Sequence, residues 1–213
     1  MSPAPITEIV YATSNPGKVF EVSRHLEPHG ITVRAPGDFG ITVDVEESGT
    51  TLEENSLIKA RAFHAVMPDQ LIMSDDTGLE IDALGGEPGV YVRRWKDHKT
   101  EMSDEEIISY CLQSLEKVPA GERGAQFRTV ITLMWPDGRF EQVDGVLRGE
   151  IAVEAAPEHI PGLPFEGLFY VEEWGKLLGD TRQMTHAEKV GFLSHRERAV
   201  EAAVKVLRAS PTS

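Results

Sequence analysis

Apolar positions repeat along this chain with two different periods, and the changes between them mark out its elements. Glu8 to Thr13 is a short, apolar, β-prone run and reads as a strand, followed by the turn Ser14-Asn15-Pro16-Gly17. Val19, Val22 and Leu26 then share one face of a helix that closes near Gly30, and Ile31 to Arg34 makes the next strand. Thr51 to Met67 predicts a second helix: Thr51-Leu52-Glu53-Glu54 is a capping box, and Leu57, Ile58, Ala62 and Ala65 supply the apolar stripe. Gln70 to Met73 is a buried strand that ends in Ser74-Asp75-Asp76-Thr77-Gly78, and Leu79 to Leu84 is a further strand before the loop Gly85 to Gly89. Ser103 to Glu116 is a helix boxed by Ser103 and Glu106. Phe127 to Met134 and Arg139 to Val146 form a hairpin about Pro136-Asp137-Gly138, and Ile151 to Glu154 and Leu168 to Val171 are short strands. The last helix is Ser194 to Arg208, with Ser194 and Glu197 as its box.

Strand–helix units at both ends thus flank a β-rich middle. That order predicts an α/β fold with a mixed sheet, flanking helices and two lobes around a central cleft, with ligands at loops beyond strand ends. The 213 residues suit a single domain over 1–209 with a short frayed tail at 210–213. No run approaches the roughly 20 apolar residues of a membrane helix, and Met1 to Glu8 does not read as a secretory signal. Cys111 is the single cysteine, so an intrachain disulfide is excluded and a reducing, cytoplasmic setting is expected. The charge changes the picture more. With 21 basic and 35 acidic residues the chain carries −14, which argues against general nucleic-acid binding. A small phosphate ligand stays open, given a local basic pocket or a bridging cation.

Five constellations could carry such chemistry. Thr13-Ser14-Asn15-Pro16-Gly17-Lys18 lies between strand and helix, where amides and a lysine bind anions; its spacing is not that of the Walker loop, and an ordinary tight turn is the alternative. Glu54 either caps its own helix or turns toward a metal. Asp75-Asp76-Thr77-Gly78 is either an Asp-rich turn or a carboxylate site for a divalent ion and for activating water. Lys189 with Ser194-His195-Arg196 puts basic groups at a helix start, either solvated or awaiting an anion. Phe165, in a Gly/Pro-rich loop with Glu166, either stacks on a base or anchors the loop.

These blocks in this order resemble the inosine triphosphate pyrophosphatases, also called non-canonical purine NTP pyrophosphatases. The likeness rests on Thr13 to Lys18, Glu54 to Ala60, Ser74 to Leu79, Ala83 to Tyr91, Glu188-Lys189 and Ser194-His195-Arg196, and so spans nearly the whole chain. It implies an elongated two-lobed α/β fold, usually homodimeric, that hydrolyses ITP, dITP and XTP to the monophosphate and pyrophosphate with Mg2+. On that likeness Thr13, Ser14, Asn15 and Lys18 would hold the triphosphate. Glu54 and Asp76 would serve the Mg2+ site, Asp76 as proton acceptor, with Asp75 assisting. Thr77, Lys189, His195 and Arg196 would contact substrate.

One block departs. The family usually carries Gly-Phe-Gly-Tyr-Asp-Pro, a hydrophobic residue and Phe, with the aromatic on the base. Here the stretch is Gly162-Leu163-Pro164-Phe165-Glu166-Gly167-Leu168-Phe169, which keeps a ring in Phe165 and a longer acid in Glu166. The departure predicts a shifted or relaxed base preference. Action on another modified or pyrimidine triphosphate is therefore one rival reading, and a nucleotide-binding regulator without catalysis is another.

Overall fold

The computed structural model describes residues 6–157, 161–184, 188 and 191–209. Its strands are β1 (Glu8–Tyr11), β2 (Thr32–Arg34), β3 (Ile72–Ile81), β4 (Pro88–Gly89), β5 (Gly124–Met134), β6 (Phe140–Ile151), β7 (Phe169–Val171) and β8 (Lys176–Leu177). They form one mixed sheet in the order β2-β1-β3-β5-β6-β7-β8, with β4 added to β3. β1 runs parallel to β2 and β3, whereas β3–β4, β6–β7 and β7–β8 pair antiparallel. The helices are α1 (Pro16–Leu26), α2 (Leu52–Val66), α3 (Asp104–Ser114) and α4 (His195–Ala209). The mixed α/β architecture with flanking helices is the one the element order predicts.

The chain divides into two compact units, one of Met1–Thr77, Thr129–Gly145 and His195–Ser213, the other of Gly78–Arg128 and Val146–Ser194. In the first, parallel strands are covered on both faces, so apolar residues fill successive positions and split by parity. Ile9, Tyr11, Met73, Ile131 and Leu133 pack with Val22 and Leu26 of α1 and with Ala199, Ala203 and Leu207 of α4. Val10, Ala12, Ile72 and Met134 pack instead with Ala60, Phe63 and Met67, on and just after α2. The second unit has its own core, in which Ile107 and Cys111 of α3 meet Trp95, Phe127, Phe165, Phe169 and Trp174.

One expected boundary moves. The sequence predicts a strand ending at Met73 and another beginning at Leu79, but β3 is a single strand of 10 residues through Asp75 and Asp76. The acidic and threonine side chains find partners on each face, described below, so the strand has no reason to stop. Asp82–Leu84, the end of the second predicted strand, is a 3-10 turn. Similarly, β6 runs on to Ile151 and absorbs the start of the separate strand expected there.

Gly145 on β6 sets how closely α4 can lie on the sheet. A Cβ there would stand 2.2 Å from both the Ala199 nitrogen and the His195 carbonyl oxygen. Both are backbone atoms of α4 and cannot swing away. Gly145→Ala is therefore expected to lower unfolding stability by about 3 kcal/mol or more, the upper range for overpacking. Gly37→Ala, which meets nothing within 4 Å, serves as control and should stay within about 0.5 kcal/mol. Denaturant unfolding of the two variants beside wild type measures the difference.

Candidate active site

Successive side chains of a strand point to opposite faces, so the adjacent acids of β3 cannot share one environment. Asp75 points with Tyr11 and Met73 toward α1 and α4. It is 2% exposed. Its Oδ1 accepts from the Tyr11 hydroxyl at 2.7 Å, and both carboxylate oxygens accept from Lys18 Nζ at 3.1 Å. Arg196 Nε donates to Oδ2 at 3.3 Å. Burial alone would raise the carboxyl pKa, but the charges of Lys18, Arg196 and Lys59 and the Tyr11 hydrogen bond hold it well below the usual range. Arg196 also bonds Glu21 Oε2 through Nη1 at 2.9 Å and Thr77 Oγ1 through Nη2 at 3.5 Å. Burial disfavours its charge, but Asp75 and Glu21 more than offset this and raise its pKa.

The loop before α1 presents Lys18. Asn15 is the N-cap, and its Oδ1 accepts from the amides of Gly17 at 2.9 Å and Lys18 at 3.3 Å. Thr13 Oγ1 accepts from the Asn15 amide at 3.1 Å. Pro16 starts the helix, where its missing N–H costs nothing. Ser14 and Asn15 are exposed and Thr13 partly so.

Asp76 points the other way, toward α2. Lys59 Nζ donates to its Oδ1 at 3.0 Å and Asn55 Nδ2 to its Oδ2 at 3.2 Å. Asn55 and Lys59 are four apart and so share a helix face. Asn55 Oδ1 also accepts from the Gly49 amide at 2.8 Å, and Lys59 also donates to Glu47 Oε2 at 3.1 Å. Burial raises the Asp76 pKa above the ordinary value even though Lys59 opposes it. Glu54 is exposed. Its carboxylate takes the Thr50 amide at 2.6 Å and hydroxyl at 3.0 Å, while Thr51 Oγ1 accepts from its amide at 3.1 Å. The predicted cap by Thr51 is thus made, with the reciprocal bond taken by Thr50.

Thr13, Ser14, Lys18, Glu47, Lys59 and Asp75 line a cavity of about 770 Å3 whose other walls include Phe20, Val43 and Phe63. Glu47 and Lys59 are site residues that sequence reasoning missed. Lys59 had a usable signal, four residues after Asn55 on one helix face. Glu47 had none, because it sits in an aperiodic run between Ile41 and Thr50.

Thr77 returns to the Asp75 face. Its Oγ1 lies 2.8 Å from Thr129 Oγ1, which in turn lies 2.6 Å from His195 Nδ1. His195 is buried, and burial first, then the Arg196 charge, lower its pKa to about 3. It is therefore neutral and adds no positive charge at the start of α4. Lys189 lies outside the described residues. Phe165 and Glu166 belong to the second unit. Phe165 is 3% exposed, with its ring centroid 6.2 Å from that of Trp95 and 6.3 Å from that of Phe127. Glu166 is buried, and its carbonyl accepts from the Gly179 amide at 3.0 Å.

Among the described residues no group of three or more His, Cys, Asp or Glu side chains gathers as a metal site. Cys111 is no nucleophile, since burial pushes its thiol up to about 12. What the geometry does supply is Asp76 and Glu47 on one shared ammonium, beside a second lysine. Two carboxylates suit an oxygen-seeking divalent ion that completes its shell with water and phosphate.

The neutral His195 has a consequence for stability. An unfolded histidine takes up a proton near pH 6.5, whereas folded His195 resists until about 3. Stability from this residue is therefore present above about pH 6.5 and is lost as pH falls toward 3, by up to about 1.4 kcal/mol per pH unit. His195→Gln removes that proton, so its stability should fall less steeply between pH 6.5 and 4 than that of wild type. Urea titrations at stepped pH measure the two slopes.

The sequence matches the Ham1 family over residues 9–206. It is 35% identical over 202 residues to the dITP/XTP pyrophosphatase of Bacillus subtilis, covering 95% of this chain and 98% of that one. It is 38% identical over 204 residues to a dITP/XTP pyrophosphatase of Thermus thermophilus, covering 96% and 93%. Among solved structures, a HAM1 protein from Coxiella burnetii superposes with a TM-score of 0.77 at 32% identity, over 96% of this chain and all (100%) of that one. The Ham1 protein of Staphylococcus aureus gives 0.75, also at 32%, over 95% and 98%. With one family match along almost its entire length and relatives this similar over their full extent, the chain belongs to the Ham1 family.

Proposed function

We propose that this protein hydrolyses non-canonical purine nucleoside triphosphates, with dITP and XTP foremost and ITP beside them, to the monophosphate and pyrophosphate. The observation that carries the chemistry is the pair of aspartates on β3. One is a permanent anion locked to Lys18 and Arg196, the other a carboxylate of raised pKa held by Lys59 and Asn55. Two carboxyls whose environments push their pKa values apart mark out different roles. The substrate class follows the relatives named dITP/XTP pyrophosphatase.

In this reading Lys18, Lys59 and Arg196 offset the charge of the triphosphate, together with Lys189. Asp76 accepts the proton of a water that attacks the α-phosphorus. The new P–O bond forms as the bond to the β-bridging oxygen breaks, and pyrophosphate leaves with that electron pair. A bound Mg2+ supplies Lewis-acid neutralisation of the phosphate oxygens. Asp76 would hold it together with Glu47, which shares the Lys59 ammonium with it, or with Glu54, the partner the family likeness implies, whose Oε2 accepts from Thr50. The homodimeric state implied by the family likeness and the cytoplasmic setting expected from the single cysteine belong to the same proposal. No helix among the described residues is long and apolar enough to cross a membrane.

A second reading draws on the Phe165 loop. With that ring in the core of its unit, base preference could extend to another modified or pyrimidine triphosphate. A panel of dITP, XTP, ITP, GTP, ATP, dUTP and CTP, with pyrophosphate and monophosphate both identified, separates the two. dITP and XTP are expected to lead. A different leading nucleotide would keep the chemistry and transfer the specificity, and no pyrophosphate from any of them would defeat the proposal.

Two variant series test the residues. Asp76→Asn should lower kcat by about 10²- to 10⁴-fold, the usual range for loss of a general base. Mg2+ titration of activity should show a raised metal requirement for Glu47→Gln and near-normal dependence for Glu54→Gln. The reverse order would return the metal to Glu54.

A further inference from the structure

We propose that Arg93 and Asp104 are positioning residues that latch the 162–169 stretch at its first residue, Gly162, and thereby govern how sharply the protein tells one base from another. The latch is read from geometry alone. Its consequence for the base rests on the proposed function, in which that stretch sets base preference.

Arg93 Nη1 donates to Asp104 Oδ1 at 2.5 Å, and Arg93 Nη2 donates to the Gly162 carbonyl oxygen at 2.5 Å. The Gly162 amide donates to the other carboxylate oxygen, Asp104 Oδ2, at 2.6 Å. The three bonds close a ring: the guanidinium and the carboxylate each spend one arm on the other and one on the backbone of the same residue. Each bond has an ionised partner, a class roughly twice as strong as a neutral pair. An isolated surface ion pair contributes little. Here, however, Asp104 is 12% exposed, and its place is fixed as the first residue of α3, beside the Ser103 cap.

Gly162 needs such a hold. It is exposed, has no side chain to pack, and sits at a φ of +85°, a conformation that glycine enters and leaves freely. Three residues on, Phe165 packs against Trp95, which follows Arg93 by two residues and is anchored through Nε1 to Glu87 Oε2 at 3.2 Å. One short segment, 93–95, therefore grips the stretch twice, by charge at Gly162 and by a ring at Phe165. A released stretch would sample several arrangements, and groups that read a base edge discriminate only while their positions are fixed. The fork matters as much as the charge, because the point charge of a lysine does not span two acceptors as the planar guanidinium does.

Asp104→Ala opens the ring, and Arg93→Lys keeps the charge without the fork. Hydrogen exchange at the Gly162 backbone amide, in the 15N-labelled full chain, reads the latch. It should be slow in wild type, about tenfold faster or more in Asp104→Ala and several-fold faster in Arg93→Lys. The ratio of kcat/KM for dITP to that for dGTP, which differ only in the base, reads the consequence. That ratio should fall about tenfold in Asp104→Ala, the size of one lost hydrogen bond, and by a smaller factor in Arg93→Lys. Inhibition by inorganic tripolyphosphate, which has no base, should stay within about twofold of wild type in both. A Gly162 amide that exchanges freely in wild type, or full wild-type protection and ratio in Arg93→Lys, overturns the proposal. So does a loss shared equally by dITP, dGTP and tripolyphosphate, which a merely structural tie would give. Should Asp104→Ala not fold, Arg93→Lys and the wild-type exchange rate decide. Should no form hydrolyse any triphosphate, the proposed function fails, while Gly162 exchange still judges the latch.

Discussion

A buried carboxylate next to a buried guanidinium sets the terms for the rest of this site. Moving an ion the size of Asp75 out of water costs several kcal/mol even after relaxation, and losing one partner of such a pair is more damaging than replacing the pair. Asp75 therefore binds together whatever brings its counter-charges. Tyr11 comes from β1, Lys18 from the first turn of α1 and Arg196 from the first turn of α4. Gly145 permits the last of these by letting α4 lie directly on β6. The local choices at each element end, an Asn cap here and a glycine there, all serve one electrostatic requirement.

The same cluster explains why two neighbouring acids differ. Asp75 is saturated by hydrogen bonds and cations, so it is a poor base and a poor metal ligand. Asp76, one residue on and therefore on the opposite face, has one lysine and one amide for company. Burial raises its pKa and Lys59 opposes the rise, which leaves it the stronger base of the two. The alternation of a β-strand thus separates a carboxylate locked in ion pairs from the one that, in the proposed function, accepts the proton. A triphosphate reaching Lys18 and Arg196 would compete with Asp75 for them.

Much of this was readable in the sequence because it depends on local rules. The Ser103–Glu106 box forms as spacing predicts, with both reciprocal bonds present at 2.8 and 3.2 Å. Thr51 caps α2, and Pro16 opens α1. The readings that moved depend on partners distant in the chain. Asp75 and Asp76 look like a turn in isolation, since Asp and Gly favour turns; only Lys18, Arg196, Asn55 and Lys59 make a continuous strand tolerable there. Glu47 carries no periodicity and joins the site only through Lys59, twelve residues away. Phe165, left between stacking on a base and anchoring its loop, packs among Trp95 and Phe127, a contact that no local pattern encodes.

The division of labour along the chain bears on specificity. Every described residue connected here with phosphate chemistry (Lys18, Glu47, Lys59, Asp75, Asp76, Thr77, His195 and Arg196) belongs to the first unit, and Phe165 and Glu166 belong to the second. In the proposed function, the groups of the first unit that meet the triphosphate speed hydrolysis of a part that all nucleotides share. Discrimination must come from groups that meet the base edge, where an unpaired buried donor or acceptor is what rejects a wrong partner. In the proposed function, a changed loop around Phe165 would alter which base is preferred without touching the bond-breaking residues. The two properties can drift independently, so the intact β3 chemistry and the divergent 162–169 stretch are compatible in one protein.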